Sequence, residues 1–275
     1  MSNKKLTAAT VVYYSELEML SALLVSLQLA AAELFKRDGH FVKYYLIDNS
    51  VDEAYFSALE NLIADFPTDD YLSVELLKAP ANLGYGGGNN LLLKRLDSDY
   101  HVIINPDVVL QPDSLWRAID CLERNPSAAI LSPAIIEKNG LAHHVLKAYP
   151  DCLTLLLRYL GKQWLNDRFS LRLNRYQCTQ IGGSINESAE LAGGCFMVIG
   201  TAVFQQLKGF DDYFFMYFED YDFSIRAREI GKIIFDPAVK ISHVGGDVGR
   251  KNIRHHVFFV ASAIKFFSRY GWRLW

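Results

Sequence analysis

The chain has 275 residues, 51% of them apolar and 21% charged, which is enough apolar material for a substantial core and too much for intrinsic disorder. A formal net charge of −3 removes any global electrostatic reason to expect a nucleic acid partner. The four cysteines, Cys121, Cys152, Cys178 and Cys195, lie far apart without Cys-x-x-Cys spacing, which argues against a zinc site or a secreted disulfide framework and fits a reducing cytosol.

The predicted elements begin with a strand at "TAATVVYY" (7–14) and a helix from Leu17 to about Arg37. Its stretch from Leu20 to Phe35 is apolar but carries Ser21, Ser26, Gln28 and Glu33, so it is predicted as a buried helix rather than a membrane span. The N-terminus has lysines but no hydrophobic signal core before a small-residue cleavage site. A strand at "FVKYYLID" (41–48), a helix through Phe56, Leu59 and Ile63, and a strand at "YLSVELLK" (71–78) follow. After a glycine-rich loop come a short helix at Asn90 to Leu96, a strand at "YHVIIN" (100–105), a helix from Pro112 to Arg124 and a strand at "AAILSPAII" (128–136). Such alternation predicts an α/β, Rossmann-like, mainly parallel sheet flanked by helices.

From 142 to 185 the alternation stops, and this basic, leucine-rich stretch is read as an excursion of short helices. Strand character returns at "ELAGGCFMVIG" (190–200), then a helix at Thr201 to Leu207, a strand at "KIIFDPAV" (232–239) and a C-terminal helix from about Asn252 to Tyr270. No repeat, low-complexity tract or Pro/Gly/Ser linker divides the chain, so one domain over 1–275 is expected.

Four segments carry candidate chemistry. "NLGYGGGNN" (82–90) has Asn89 where a dinucleotide fingerprint needs glycine, which leaves either a plain turn or a place where backbone approaches a ligand. In "VIINPDVVL" (102–110) the strand ends at Asn105, Pro106 stops the ladder, and Asp107 stands at the carboxyl edge where parallel sheets bind ligands. A single carboxylate there suits a hard divalent cation that also takes phosphate oxygens and waters; a turn or cap aspartate is the plainer reading. "LIDNSVDE" (46–53) repeats the arrangement at Asp48, with an Asx-turn as its plainer reading. His243, in "ISHVGGD" (241–247), is either structural or the completion of a metal site.

The acidic run after the aromatic segment "FFMYF" raises the sharpest choice. Glu219, Asp220 and Asp222 either favour a helix start through the macrodipole, with Asp222 pairing to Arg226, or include a general base. A helix N-terminus is expected to lower the pKa of such a carboxylate.

In order, "TVVYYSE", "LIDNSVDE", "NLGYGGGNN", "INPDVVLQPDSL", "LAGGCFMVIGTAVFQQLKGFDDYFFMYFEDYDFSIRAREIG" and "FDPAVKISHVGG" resemble the family 2 glycosyltransferases of GT-A fold, in their bacterial rhamnosyltransferase-like branch. The resemblance implies a nucleotide-sugar half up to about residue 140 and an acceptor and catalytic half from about 141. It implies that Asp48 contacts the nucleotide base, with Tyr14 and Asn82 in the same pocket and Gly84 and Asn105 on the same donor side. Asp107 takes the last position of a D-x-D-like motif and, with His243, would hold Mg2+ or Mn2+. Gly193 and Gly194 would floor the sugar pocket, Asp220 would be the catalytic base, and Glu219 and Asp222 would lie on the acceptor side. Asn105 departs from the first Asp of a strict D-x-D, and Tyr14-Ser15 departs from the usual Tyr-Asn. The Q-x-x-R-W motif of processive synthases is absent, which implies one sugar per acceptor visit.

The activity so implied is inverting transfer of a sugar, L-rhamnose from dTDP-L-rhamnose, to a lipid-linked or saccharide acceptor in O-antigen or lipopolysaccharide synthesis. Transfer from another nucleotide sugar and a catalytically silent nucleotide-binding scaffold are the alternatives. The tail mixes Arg254, Lys265, Arg269 and Arg273 with Phe258, Phe259, Phe266, Trp272 and Trp275. It is read either as a helix packed on its own core or as a contact with an anionic membrane, the latter placing a cytoplasmic protein peripherally on the inner face. On this reading, residues Phe259, Ala263 and Phe266 form the apolar stripe.

Overall fold

A computed structural model describes residues 5–67, 69–137, 142–181, 184–187, 189–243 and 253–275. The first strand, β1 (Lys5–Val12), is buried from Leu6 to Val12, as a strand covered on both faces must be. Helix α1 (Leu17–Asp38) buries Leu20, Leu23, Leu24, Leu27, Ala30, Ala31 and Leu34, the i, i+3, i+4 stripe of a core-facing helix. Gly39 ends it in the left-handed conformation, its N–H donating to the Phe35 carbonyl at 2.8 Å. By length and composition α1 could span a membrane, yet its apolar stripe lies in the core.

Then come β2 (Phe41–Asp48), α2 (Glu53–Ala64), β3 (Leu72–Lys78), α3 (Gly84–Asn90), β4 (Tyr100–Ile104), β5 (Val108–Leu110), α4 (Ser114–Arg124) and β6 (Ala128–Ile136). The chain continues as β7 (Ala142–His144), α5 (Cys152–Leu160), α6 (Gln163–Arg168), α7 (Ser170–Tyr176), β8 (Phe196–Gly200), α8 (Thr201–Gln206), α9 (Glu219–Arg228), β9 (Lys232–His243) and α10 (Ile253–Tyr270). Among the described residues one sheet runs β3-β2-β1-β4-β8-β6-β9-β5, with β7 paired to β6.

The parallel run predicted from the alternation is present as β3-β2-β1-β4, and β9 is parallel to β6. Between them β8 is antiparallel to both β4 and β6, so the sheet is mixed. The reason lies in the excursion. It leaves and rejoins the sheet at the carboxyl end of β6, so β8 must run back the other way. The carboxyl ends of β4 and β6 and the start of β8 therefore meet at one edge.

Three predicted elements are corrected. The short helix expected at 90–96 is instead α3, formed by the glycine-rich segment itself. Packing overrides its poor helix propensity: a Cβ on Gly86 or Gly88 would lie 2.7 Å from Phe210 or Val11. The strand predicted at 190–200 starts only at Phe196, while β9 extends past the expected 239 to His243. β5 and β7, three residues each, carry too little period to be predicted.

Helix α10 lays Phe266 and Phe267 into an aromatic cluster with Phe214, Phe218, Tyr176 and Leu155. Beyond it the terminal residues fold back on α5: the Cys152 N–H donates to the Arg273 carbonyl at 2.8 Å and the Leu153 N–H to that of Leu274 at 3.2 Å.

Candidate active site

The donor-side residues gather at the ends of β1 and β2. The buried Asp48 accepts the Ser50 N–H through Oδ1 at 2.8 Å, which is the Asx-turn, while its Oδ2 is buried with no partner. Asn49 braces the glycine-rich segment: its Nδ2 donates to the Gly84 carbonyl at 2.9 Å and its Oδ1 accepts the Leu83 N–H at 3.0 Å. Asn82 Oδ1 accepts from Gly84 N–H at 3.1 Å and from Asn49 at 3.2 Å. Gly84 has φ of +73°, and a Cβ there would collide with the Phe215 carbonyl, so no other residue fits. Tyr14, with φ of 52°, is half exposed and donates to Asp52 at 3.1 Å.

Strand register joins the next pair. β5 and β9 are antiparallel with Val108 opposite His243, which sets Asp107 beside that histidine. His243 Nε2 lies 3.1 Å from Asp107 Oδ1, each side chain 17% exposed. Asn105 N–H donates to the Cys195 carbonyl at 2.8 Å, and its side-chain Oδ1 is buried without a partner. Gly245 and Gly246, which follow His243 in sequence, lie outside the described residues.

The acidic segment is set by a strained corner. Tyr217 and Phe218 have φ of 67° and 65°, two successive non-glycine residues in the left-handed region immediately before α9. The corner aims the first turn of α9 at β8. Asp220 Oδ2 accepts the Gly194 N–H at 2.9 Å and Oδ1 the Tyr221 N–H at 2.9 Å. The Gly194 carbonyl in turn accepts from Tyr85 OH at 2.6 Å.

Burial raises the Asp220 pKa from 3.8 to about 6, against the opposing backbone N–H groups of Gly194 and Tyr221. This corrects the expectation of a lowered value: desolvation outweighs the helix terminus. Glu219 is buried, its Oε2 has no partner, and burial followed by the charge of Asp220 drives its pKa well up, which favours the protonated acid. Asp222 is corrected too. It does not line the cleft but is fully buried behind it, bonded to Arg226 at 2.7 Å, Arg269 at 2.9 Å and Tyr270 at 2.6 Å, so it ties α10 to α9.

Gly193, Gly194, Glu219, Asp220 and His243 line one cleft of about 550 Å³ between the excursion, β8, α9 and α10. No protein-family profile matches the chain. It is 28% identical over 68% of its length to N-acetylglucosaminyl-diphospho-decaprenol L-rhamnosyltransferase of Mycobacterium tuberculosis. Its structure matches the mannosyltransferase PcManGT of Pyrobaculum calidifontis, solved with GDP-Man and Mn2+, with a TM-score of 0.60 at 16% identity over 94% of this chain and 64% of that one. It also matches S. aureus TarS, with a TM-score of 0.57 at 15% identity over 87% of this chain and 37% of that one. The fold is that of the GT-A glycosyltransferases. The chain spans 65% of the length of the mycobacterial relative.

For a GT-A protein the donor set around Asp107 can be tested against a divalent cation. Asp107 and His243 supply one carboxylate and one imidazole, with the unpartnered Asn105 amide oxygen two residues away in sequence. Among the described residues no group of three or more His, Cys, Asp or Glu side chains is placed to hold a metal ion by itself. The set therefore fits a hard cation whose remaining ligands are diphosphate oxygens and water, and does not fit an all-protein cage.

Sequence reasoning missed Lys147, Tyr176 and Tyr221 as cleft residues, and it noted Arg158 only as part of a basic stretch. Lys147 has no local motif around it. Tyr221 lies within "FEDYD" and could have been proposed from its neighbours.

Proposed function

We propose that this protein is an inverting glycosyltransferase that moves L-rhamnose from dTDP-L-rhamnose to a lipid-linked or saccharide acceptor in cell-surface polysaccharide synthesis. The observation that carries this reading is Asp220 on the wall of a cleft that is also lined by His243, the partner of Asp107. The name of the mycobacterial relative supports the choice of sugar.

In this reading the nucleoside lies against Tyr14, Asp48 and Asn82, whose buried Asp48 Oδ2 offers an acceptor to a base or ribose donor. Asp107 and His243 would hold Mg2+ or Mn2+ at the diphosphate end of the donor. When bound, that cation offsets the charge that develops on the leaving diphosphate. Asp220 takes the proton of the acceptor hydroxyl as it attacks the anomeric carbon from the face opposite the diphosphate. A pKa of about 6 suits this role, because the group is mostly ionised at neutral pH yet is a stronger base than an exposed aspartate. Glu219, whose burial and proximity to Asp220 favour the protonated acid, is fitted to donate a hydrogen bond to a sugar or acceptor oxygen.

Turnover of a nucleotide-sugar panel with and without Mg2+ or Mn2+, with the product's anomeric configuration read by NMR, tests the proposal. Inverted rhamnoside formed only with metal is expected. Turnover of another sugar alone would replace the donor, and retention of configuration would overturn the mechanism.

The same reading puts the protein against an anionic membrane on the cytoplasmic face. The stripe of Phe259, Ala263 and Phe266 packs on the protein's own aromatic cluster. The opposite face of α10 is nevertheless apolar: Val257, Val260 and Ile264 are each about half exposed; outside that helix, Trp164 of α6 and Trp275 are 68% and 82% exposed. A surface helix apolar on its solvent side that also carries Arg254 fits an interfacial segment. Sedimentation with anionic vesicles should fall with added salt and with Trp164→Ala. Equal sedimentation with neutral and anionic vesicles would count against it.

A further inference from the structure

Helix α3 is tied to the wall that carries Asp220 through one side chain, Tyr85, to which the proposed reaction gives no part. Its hydroxyl donates to the Gly194 carbonyl at 2.6 Å, and the Gly194 N–H donates to Asp220 Oδ2 at 2.9 Å. The Tyr85 backbone N–H donates to the Phe215 carbonyl at 3.1 Å, two residues before the left-handed pair Tyr217 and Phe218 that turns the chain into α9. Tyr85 therefore braces Asp220 from two sides. It holds the corner from which α9 starts, and it holds the glycine that the carboxylate grips. Gly194 and Asp220 line the cleft, whereas Tyr85 is not among its lining residues.

Gly194 needs such a brace, because glycine has the freest backbone of any residue. The space beside it is also taken: an added Cβ would lie 3.3 Å from Asp220 Cβ and 3.5 Å from Tyr85 Cε1. The direction of the Gly194 N–H sets the direction of the carboxylate, and a proton-accepting group must be held within about 0.5 Å of its productive place. Tyr85 is a firm mount for this purpose. The buried Asn89 donates to its carbonyl at 3.0 Å, and its ring centroid lies 6.0 Å from that of Phe210. Burial, and after it the charge of Glu219, raises the Tyr85 pKa well above its usual value, so the phenol stays a neutral donor. We propose that Tyr85 is a positioning residue for the base: its hydroxyl clamps Gly194, whose N–H then holds Asp220 toward the attacking hydroxyl. This inference rests on the reading of Asp220 as the base of a glycosyltransferase.

Tyr85→Phe keeps the ring and removes the clamp. In metal-loaded enzyme kcat should fall about tenfold while the donor KM stays within about twofold of wild type, because Tyr85 lies off the cleft wall. In the Asp220→Asn background the same substitution should change the rate by less than about twofold, since no base is left to misplace. Equal fold losses in the two backgrounds would make Tyr85 a structural residue and overturn the proposal. An NMR titration of the Asp220 carboxyl, assigned by its loss in Asp220→Asn, reads the same link without turnover. The Gly194 N–H lowers the Asp220 pKa, so the midpoint should rise from about 6 by roughly half a unit in Tyr85→Phe. The other groups that act on this carboxylate, Glu219, Lys147, Cys195, Tyr176 and Tyr221, are unchanged in that variant, and the lost hydroxyl carries no charge. An unchanged midpoint overturns the proposal. Tyr85→para-aminophenylalanine, with a longer and weaker N–H donor, should give an intermediate midpoint and carries the test if Tyr85→Phe fails to fold. Failure of the glycosyltransferase reading would register separately from the titration, as absence of nucleotide-sugar turnover by metal-loaded wild-type protein.

Discussion

Replacing Asp220 by asparagine should separate catalysis from stability. The structure gives the carboxylate two backbone donors, Gly194 and Tyr221, and a pKa of about 6, so at pH 7 about 90% of it is ionised. Asparagine keeps one acceptor oxygen for one of those donors but cannot take a proton. Loss of a general base typically costs about a hundred- to ten-thousandfold in rate, or roughly 3 to 5 kcal/mol in the barrier. The wild-type rate should rise as pH passes through about 6 and then level off, and the variant should lack that step. Stability should move the other way. Because the folded-state value lies above 3.8, stability from this group is fully present below about pH 4 and is lost as pH rises through about 6. That loss amounts to about 2 to 3 kcal/mol, which the neutral amide avoids, less about 1 kcal/mol for the bond it cannot accept. Above pH 7 the variant should therefore melt a few degrees higher than wild type while transferring almost no sugar. Initial rates from pH 5 to 8 and thermal melts over the same range check both halves. Near-normal turnover by the folded variant would refute the base assignment and return Asp220 to a helix-start role.

Asp107→Ala and His243→Ala should each weaken dTDP binding only when Mg2+ or Mn2+ is present, whereas Asp48→Ala should weaken it with or without metal; calorimetry in both conditions discriminates these outcomes. Asp222→Ala should cost about 3 kcal/mol or more, because it removes the buried carboxylate that Arg226, Arg269 and Tyr270 share, and a denaturant midpoint near wild type would show that the α9–α10 tie is weak. Gly84→Ala should cost about 2 to 6 kcal/mol, from positive φ plus collision with Phe215, while Gly39→Ala, with similar φ and open space, should cost about 1 kcal/mol. Equal urea midpoints for the two glycine variants would contradict that packing argument.

Much of the fold was legible because its cause is local. The buried strand "FVKYYLID" occupies the span its β-branched and aromatic content predicts, and α1 follows from an apolar stripe closed by Gly39. The motifs around Asp48, Asp107 and Asp220 could likewise be located at strand ends and at a helix start. α3 was not legible, since seven residues with four glycines form a helix only because Phe210, Val11 and Asn49 press on them from elsewhere in the chain.

By itself, then, the sequence determined which segments become strands and helices and which carboxylates stand at their ends, because periodicity and turn chemistry act over a few residues. Only the tertiary structure decided that Asp220 meets Gly194, that Asp107 faces His243 through the β5–β9 register, and that Asp222 turns to Arg269 instead of the cleft. It also decided the sign of the Asp220 shift, since a helix start lowers a carboxyl's pKa but burial raises it further. Burial depends on what the rest of the chain stacks around a group, and neither desolvation nor a contact between distant residues can be read from neighbours in sequence.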